Sequence, residues 1–172
     1  MNAQLAPIFV RRSVRRYTGE PVTDREIQDL LEAAMAAPSA VAKDPWDFVI
    51  MRGRENLDKL ADILPNGPML RQADAAIIVC GDLARAHRNL ESYMIQDCSA
   101  AIENILLSAS LLGLGACWLG VHPNVERMTP IRKMFGIPES ILPVAAIALG
   151  HPAEAPAPRT RFRAEAVHQG KW

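Results

Sequence analysis

The chain has 172 residues, 49% of them hydrophobic, and its 19 basic side chains balance 19 acidic ones. That length suits one domain spanning residues 1–172 with a buried core, and the composition excludes a disordered chain. A net charge of zero removes the overall field that nucleic acid or an anionic membrane would need, and 5% aromatic residues leave few platforms for stacking bases.

Cys80, Cys98 and Cys117 are an odd number, widely spaced and without a C-x-x-C pair. They argue against a disulfide framework, a zinc site or a cluster, and they suit a reducing cytoplasm. Residues 1–10 are too short and too mixed for a secretory signal. The next segment, Arg11-Arg12-Ser13-Val14-Arg15-Arg16-Tyr17, packs four arginines and a serine hydroxyl into seven residues. Guanidinium forks match phosphate oxygens and stay charged near neutral pH. The segment reads equally well as a phosphate grip and as a solvated basic face.

Residues 23–35 are predicted as a helix: Thr23 and Glu26 have capping-box spacing, and Ile27, Leu30, Leu31, Ala34 and Met35 follow at helical intervals before Pro38. A strand is expected over 47–51 and a short amphipathic helix over 55–64, followed by a loop at Pro65-Asn66-Gly67-Pro68. Residues 75–80 form an apolar strand candidate. The stretch 90–112 predicts a long helix, apolar on nearly every face, as in a helix buried centrally or at a subunit interface. Ile105 to Val121 carries no charge over 17 residues. Gly113 and Gly115 interrupt it, so it predicts a buried helix, a turn and a strand over 116–119 instead of a membrane span.

Thr129-Pro130 is expected to open a helix with proline at its first position, closing at Phe135-Gly136. Residues 144–149 are a buried strand candidate. Three prolines in 151–158 predict an extended arm that cannot pack alone. Arg159, Arg161 and Arg163 then alternate, which puts them on one side of an extended segment. Two arginine groups at opposite chain ends either converge on one phosphate or form separate solvated patches, and spacing leaves both open. Helices and strands interleave without a βαβ series, so the fold class expected is α+β.

The usual chemical motifs are missing. There is no G-x-G-x-x-G, no P-loop and no G-x-S-x-G elbow. His87, His122, His151 and His168 lack metal-site spacing, and Ser39 lies in A-P-S-A, a turn or helix end. Asp97 and Glu103 are six residues apart on the long helix and do not share a face for paired-carboxylate chemistry. An enzyme built on this chain would draw its reaction from a cofactor.

Four blocks in order, R-R-S-V-R-R-Y, A-P-S-A-V-A-K-D-P-W-D-F-V-I, G-L-G-A-C-W-L-G-V and A-L-G-H-P followed by P-R-T-R-F-R, resemble the FMN-dependent nitroreductase family over residues 11–172. The resemblance implies a nitroreductase-like α+β fold, with a central, mainly antiparallel sheet flanked by helices. It also implies an intertwined homodimer with FMN at the interface, residues 90–112 as the dimer core and the 151–172 arm reaching the partner subunit. Carried over by position, Arg11 and Ser13 would hold the flavin phosphate, while Arg12 and Arg15 reach phosphate, ribityl or ring edge. Arg159 and Arg161 would complete the phosphate site. Pro38, Ser39 and Ala40 match a loop lying against the isoalloxazine ring, and Leu119 and Gly120 match a turn whose backbone faces the ring near N5.

The chain departs from the family pattern at Ala42 and Asp44, where Asn and Gln are common. Ala42 cannot donate to the flavin's polar edge, and Asp44 puts an anion in place of an amide. The activity implied is hydride transfer from NADH or NADPH through flavin N5 to a nitroaromatic, quinone or other conjugated acceptor. Its kinetics would be ping-pong, with no catalytic side chain and no metal. The alternatives carried with it are dehydrogenation, dehalogenation or flavin breakdown, or a flavin-binding protein with little turnover.

Overall fold

The computed structural model describes residues 2–172. In chain order its elements are α1 (Ala6–Val10), α2 (Asp24–Met35), β1 (Trp46–Arg52), α3 (Arg54–Ile63), β2 (Ala75–Asp82), α4 (Glu91–Leu111), β3 (Gly115–Gly120), α5 (Val125–Phe135) and β4 (Ile141–Gly150), with short 3-10 turns between them. The strands form one sheet in the order β1-β2-β4-β3, and every neighbouring pair is antiparallel. The fold is α+β, as expected.

Alternation along the two central strands builds the layers. Ala75, Ile77 and Val79 of β2, with Ala145, Ile147 and Leu149 of β4, face a core shared with Ile27, Leu30 and Ala34 of α2 and Cys98, Ile102 and Ile105 of α4. Ala76, Ile78 and Cys80, with Ala146 and Ala148, face the opposite core, which holds Leu57 and Leu60 of α3 and Ile131 of α5. A strand covered by helices on both faces has no polar side, so its sequence is continuously apolar. Such runs are legible as strands even without alternation.

Helix α2 starts at the predicted capping box. Thr23 Oγ1 accepts from the Glu26 N–H at 3.2 Å, and Glu26 Oε2 accepts from the Thr23 N–H at 2.7 Å. Helix α4 buries Met94, Asp97, Cys98, Ala101, Ile102, Ile105, Leu106 and Ala109 and leaves Leu111 exposed at its end. Gly113, at φ 77°, closes it, with the Leu114 N–H reaching back to the Ala109 carbonyl at 2.8 Å.

Helix α5 differs from expectation at its start. Asn124 is the N-cap, its side chain accepting from the Glu126 N–H at 2.9 Å, so Pro130 lies inside the helix and not at its first position. Pro130 leaves the Glu126 carbonyl without its ordinary intrahelical donor. The Asn124 cap, the left-handed Gly136 at the other end and the fully buried Ile131 hold the helix despite that loss.

The arginine segment lies along the free edge of β3. Ser13 bridges Ala116, and the Val14 N–H donates to the Ala116 carbonyl at 3.0 Å. Gly115 permits this approach: a Cβ there would meet Val14 Cγ1 at 2.7 Å. The chain after β4 then runs back along the same segment. Thr18 N–H donates to His151 O at 3.0 Å, Ala153 N–H to Arg16 O at 2.9 Å and Arg159 N–H to Phe9 O at 3.0 Å. These backbone bonds carry the second arginine group beside the first.

Candidate functional site

Arg11, Arg12, Ser13, Arg159 and Arg161 line one pocket of about 390 Å³, together with Ile8, Glu103, Leu106 and Trp118. Four guanidiniums thus face a single carboxylate, which pairs with Arg11 (Nε–Oε1 3.1 Å). Arg12 donates to the Ala157 carbonyl and so also tethers the arm. Of the alternating arginines, 159 and 161 reach this pocket and 163 does not line it. A pocket with this charge suits a multiply charged oxyanion, since each guanidinium offers several fixed donors.

A second pocket, about 550 Å³, holds Arg15, Leu119 and Gly120, lined further by Asn66, Cys117, Trp118 and Arg127 and by the apolar Leu64, Pro65, Pro68 and Met69. Trp118 lines both pockets and stands between them. A Cβ built on Gly120 would meet nothing within 4 Å. The chain's own packing therefore does not demand glycine here, whereas a flat molecule laid against the backbone would. Burial pushes the Cys117 thiol above its ordinary pKa, with Arg15 and Ser13 opposing, so the pocket's cysteine stays a thiol. Cys80 and Cys98 are buried and unpaired, and burial pushes both up to about 12.

The 38–44 loop lines neither pocket. It is clamped from within: Ser39 Oγ donates to Asp44 Oδ1 at 2.5 Å and accepts from the Asp44 N–H at 2.9 Å. The Ala40 N–H donates to Asp97 Oδ1 at 2.9 Å, tying the loop to α4. Val41, Ala42 and Asp44 all sit at positive φ, 54°, 53° and 46°. For residues with a Cβ that conformation costs about 1–3 kcal/mol each and persists only where the surroundings impose it. Asn tolerates it better than Ala, so the departure at Ala42 removes a backbone preference as well as a donor.

Three participants carried no signal of spacing. Asp97, 5% exposed, anchors the loop through Oδ1 while its Oδ2 has no hydrogen-bond partner among the described residues. Its only trace in the sequence is an acid inside an apolar helix. Asp44 closes the Ser39 clamp, and Arg127 donates through Nη1 to the Gly120 carbonyl at 2.8 Å. Among the described residues no group of three or more His, Cys, Asp or Glu side chains could hold a metal, and no helix is long and apolar enough to cross a membrane.

The model of the Nitroreductase family matches residues 8–66 and 63–151. The chain belongs to that family. It is 44% identical over 168 residues, 98% of this chain and 87% of the relative, to a Methanothermobacter thermautotrophicus protein named "Putative NADH dehydrogenase/NAD(P)H nitroreductase". A crystal structure of the same name from Bacteroides thetaiotaomicron superposes with a TM-score of 0.93 at 42% identity, covering 100% of this chain and 99% of that one. A Desulfovibrio desulfuricans structure described as "a putative nitroreductase in complex with fmn" gives a TM-score of 0.84 at 33% identity, covering 100% and 99%. The family match ends at residue 151. Within the nitroreductase frame, the case for Arg159 and Arg161 therefore rests on their position beside Arg11 and Ser13.

Proposed function

We propose that the chain is an FMN-dependent NAD(P)H oxidoreductase that reduces a nitroaromatic, quinone or other conjugated acceptor. The observation that carries this reading is the meeting of Arg11, Arg12 and Ser13 with Arg159 and Arg161, from opposite chain ends, in one pocket. The donor set fits FMN. A phosphate takes the guanidiniums, and the open space at Gly120 beside Trp118 and Leu119 takes a flat ring. When bound, FMN supplies the hydride chemistry that no side chain here carries. Arg15, on the ring side, offers a guanidinium to a polar ring edge or the ribityl chain, and Leu64, Pro68 and Met69 add apolar wall to that pocket. Nicotinamide and acceptor use the pocket in turn, which gives ping-pong kinetics.

The working unit in this reading is an intertwined homodimer with FMN at the interface, and each 1–172 chain is one domain. The 38–42 loop, including Pro38, Ser39, Ala40 and Ala42, comes to the ring from the partner subunit. Support comes from large apolar side chains left uncovered in the single chain: Val41 is 69% exposed, Leu111 62%, Phe162 77% and Trp172 102%. Three buried, unpaired thiols fit a cytoplasmic setting.

An anaerobic titration tests the activity. Protein reconstituted with FMN should lose its visible flavin absorbance on addition of NADH or NADPH and regain it on addition of a quinone. Flavin that stays oxidised under both nucleotides would reduce the chain to a flavin-binding protein, and failure to retain FMN would end the reading altogether.

A further inference from the structure

The phosphate pocket leaves one cation of the site unexplained. Arg127 belongs to the ring-side pocket, where it and Arg15 are the two guanidiniums and no carboxylate is among the lining residues. It is half-buried, and its Nη1 is fixed on the Gly120 carbonyl at 2.8 Å. Its Nε and Nη2 are left for another acceptor. Helix formation does not favour an arginine here: Arg127 is in the first turn of α5, where the macrodipole favours anions, as at the neighbouring Glu126. A cation held against that preference, on the wall of a pocket that mixes apolar side chains with Arg15 and Asn66 and holds no carboxylate, is placed for a ligand.

We infer that Arg127 makes this pocket selective for conjugated acceptors that carry an anionic group, a carboxylate or a sulfonate, close to the reducible ring. The inference rests on the oxidoreductase reading above and adds the acceptor class to it. The FMN phosphate does not need Arg127, because four other guanidiniums line its pocket. Leu64, Pro65, Pro68, Met69 and Trp118 offer apolar contact to a ring, and Arg127 offers N–H donors to an oxyanion. A nicotinamide dinucleotide also carries anions, in its pyrophosphate. Ping-pong kinetics separate the two sources, because kcat/KM for donor and for acceptor are then measured independently.

The test compares para-nitrobenzoate with its methyl ester on the native protein, Arg127→Gln and Arg127→Lys. Comparing the ratio of kcat/KM for the two acceptors between native and variant proteins cancels their difference in intrinsic reducibility. Arg127→Gln should lower the carboxylate-to-ester ratio by about tenfold or more, the loss of one charge-assisted contact, and Arg127→Lys should keep most of it. Calorimetry with naphthalene sulfonate, which is not reduced, reads the same pocket without turnover. Binding by the native protein should weaken in Arg127→Gln. An unchanged ratio with unchanged sulfonate binding overturns the inference, and so does an effect confined to kcat/KM for NADH or NADPH, which would assign the anion to the donor. Flavin that neither NADH nor NADPH reduces ends the oxidoreductase reading and takes the acceptor assignment with it, whereas flavin that is reduced and reoxidised by a quinone but by neither the carboxylate nor the ester overturns the acceptor assignment alone.

Discussion

Gly120 separates what the chain needs for itself from what it needs for a ligand. Its Cβ position is open space, and β3 would accept a β-branched residue there on conformational grounds. Gly120→Val should therefore leave thermal stability within about 0.5 kcal/mol of native, as for other exposed positions, while raising the Kd for FMN by tenfold or more, about 1.4 kcal/mol. Unfolding and FMN titrations on the same protein check both halves, and an unchanged Kd would remove Gly120 from the ring site. At this scale the sequence was informative where chemistry clustered. Four arginines around a serine draw notice in a neutral chain, and Arg159 and Arg161 repeat the type. Asp97 drew notice only as a partner for Glu103, which its spacing excludes, and Arg127 drew none, because the role of a single charge on a helix depends on which backbone carbonyl or N–H the fold brings to it. Asp44 is similar. It stands out as a departure from the family pattern, but its clamp on Ser39 exists only once the loop adopts its left-handed turn.

The segment 11–17 is held as an added edge of β3, and Gly115 sets how close it lies. An alanine there would put its Cβ 2.7 Å from Val14 Cγ1 and 2.9 Å from Val14 Cβ, so the segment must shift. Gly115→Ala should cost about 1–3 kcal/mol of stability, the usual range for overpacking, and should weaken FMN binding because Ser13 and Arg15 flank Val14. Denaturant unfolding and an FMN titration read the two effects, and a loss of stability with full FMN affinity would mean that the arginines do not depend on this contact. The helices and strands themselves were largely legible. Helix α2 announced its own cap, and β2 and β4 showed the continuous apolar run that burial on both faces produces. The start of α5 was misread because proline at a first helical position is the stronger local signal, whereas Asn124 is the true cap five residues before the expected start at Thr129. Helix α1 left no periodic pattern, since five residues span less than two turns.

At the scale of the molecule, the order β1-β2-β4-β3 brings the two chain ends together. Placing β3 at the edge exposes a strand to the 11–17 segment, and the chain leaving β4 beside it runs back along that segment to residue 159. Periodicity could not foresee this, because it depends on which strands pair at long range. The family resemblance anticipated a shared phosphate site, and the backbone bonds from Thr18 to His151 and from Arg159 to Phe9 supply the physical route. The central claim is that both ends of the chain hold one phosphate. It is tested most directly by FMN dissociation constants for Arg161→Ala and Arg16→Ala, the latter residue lining neither pocket. A charge-assisted hydrogen bond contributes about 1.5–3 kcal/mol, and exposure of Arg161 puts its contribution at the lower end. The account predicts a Kd about tenfold higher for Arg161→Ala and within about twofold of native for Arg16→Ala. Equal losses from the two substitutions, or none from Arg161→Ala, would contradict it.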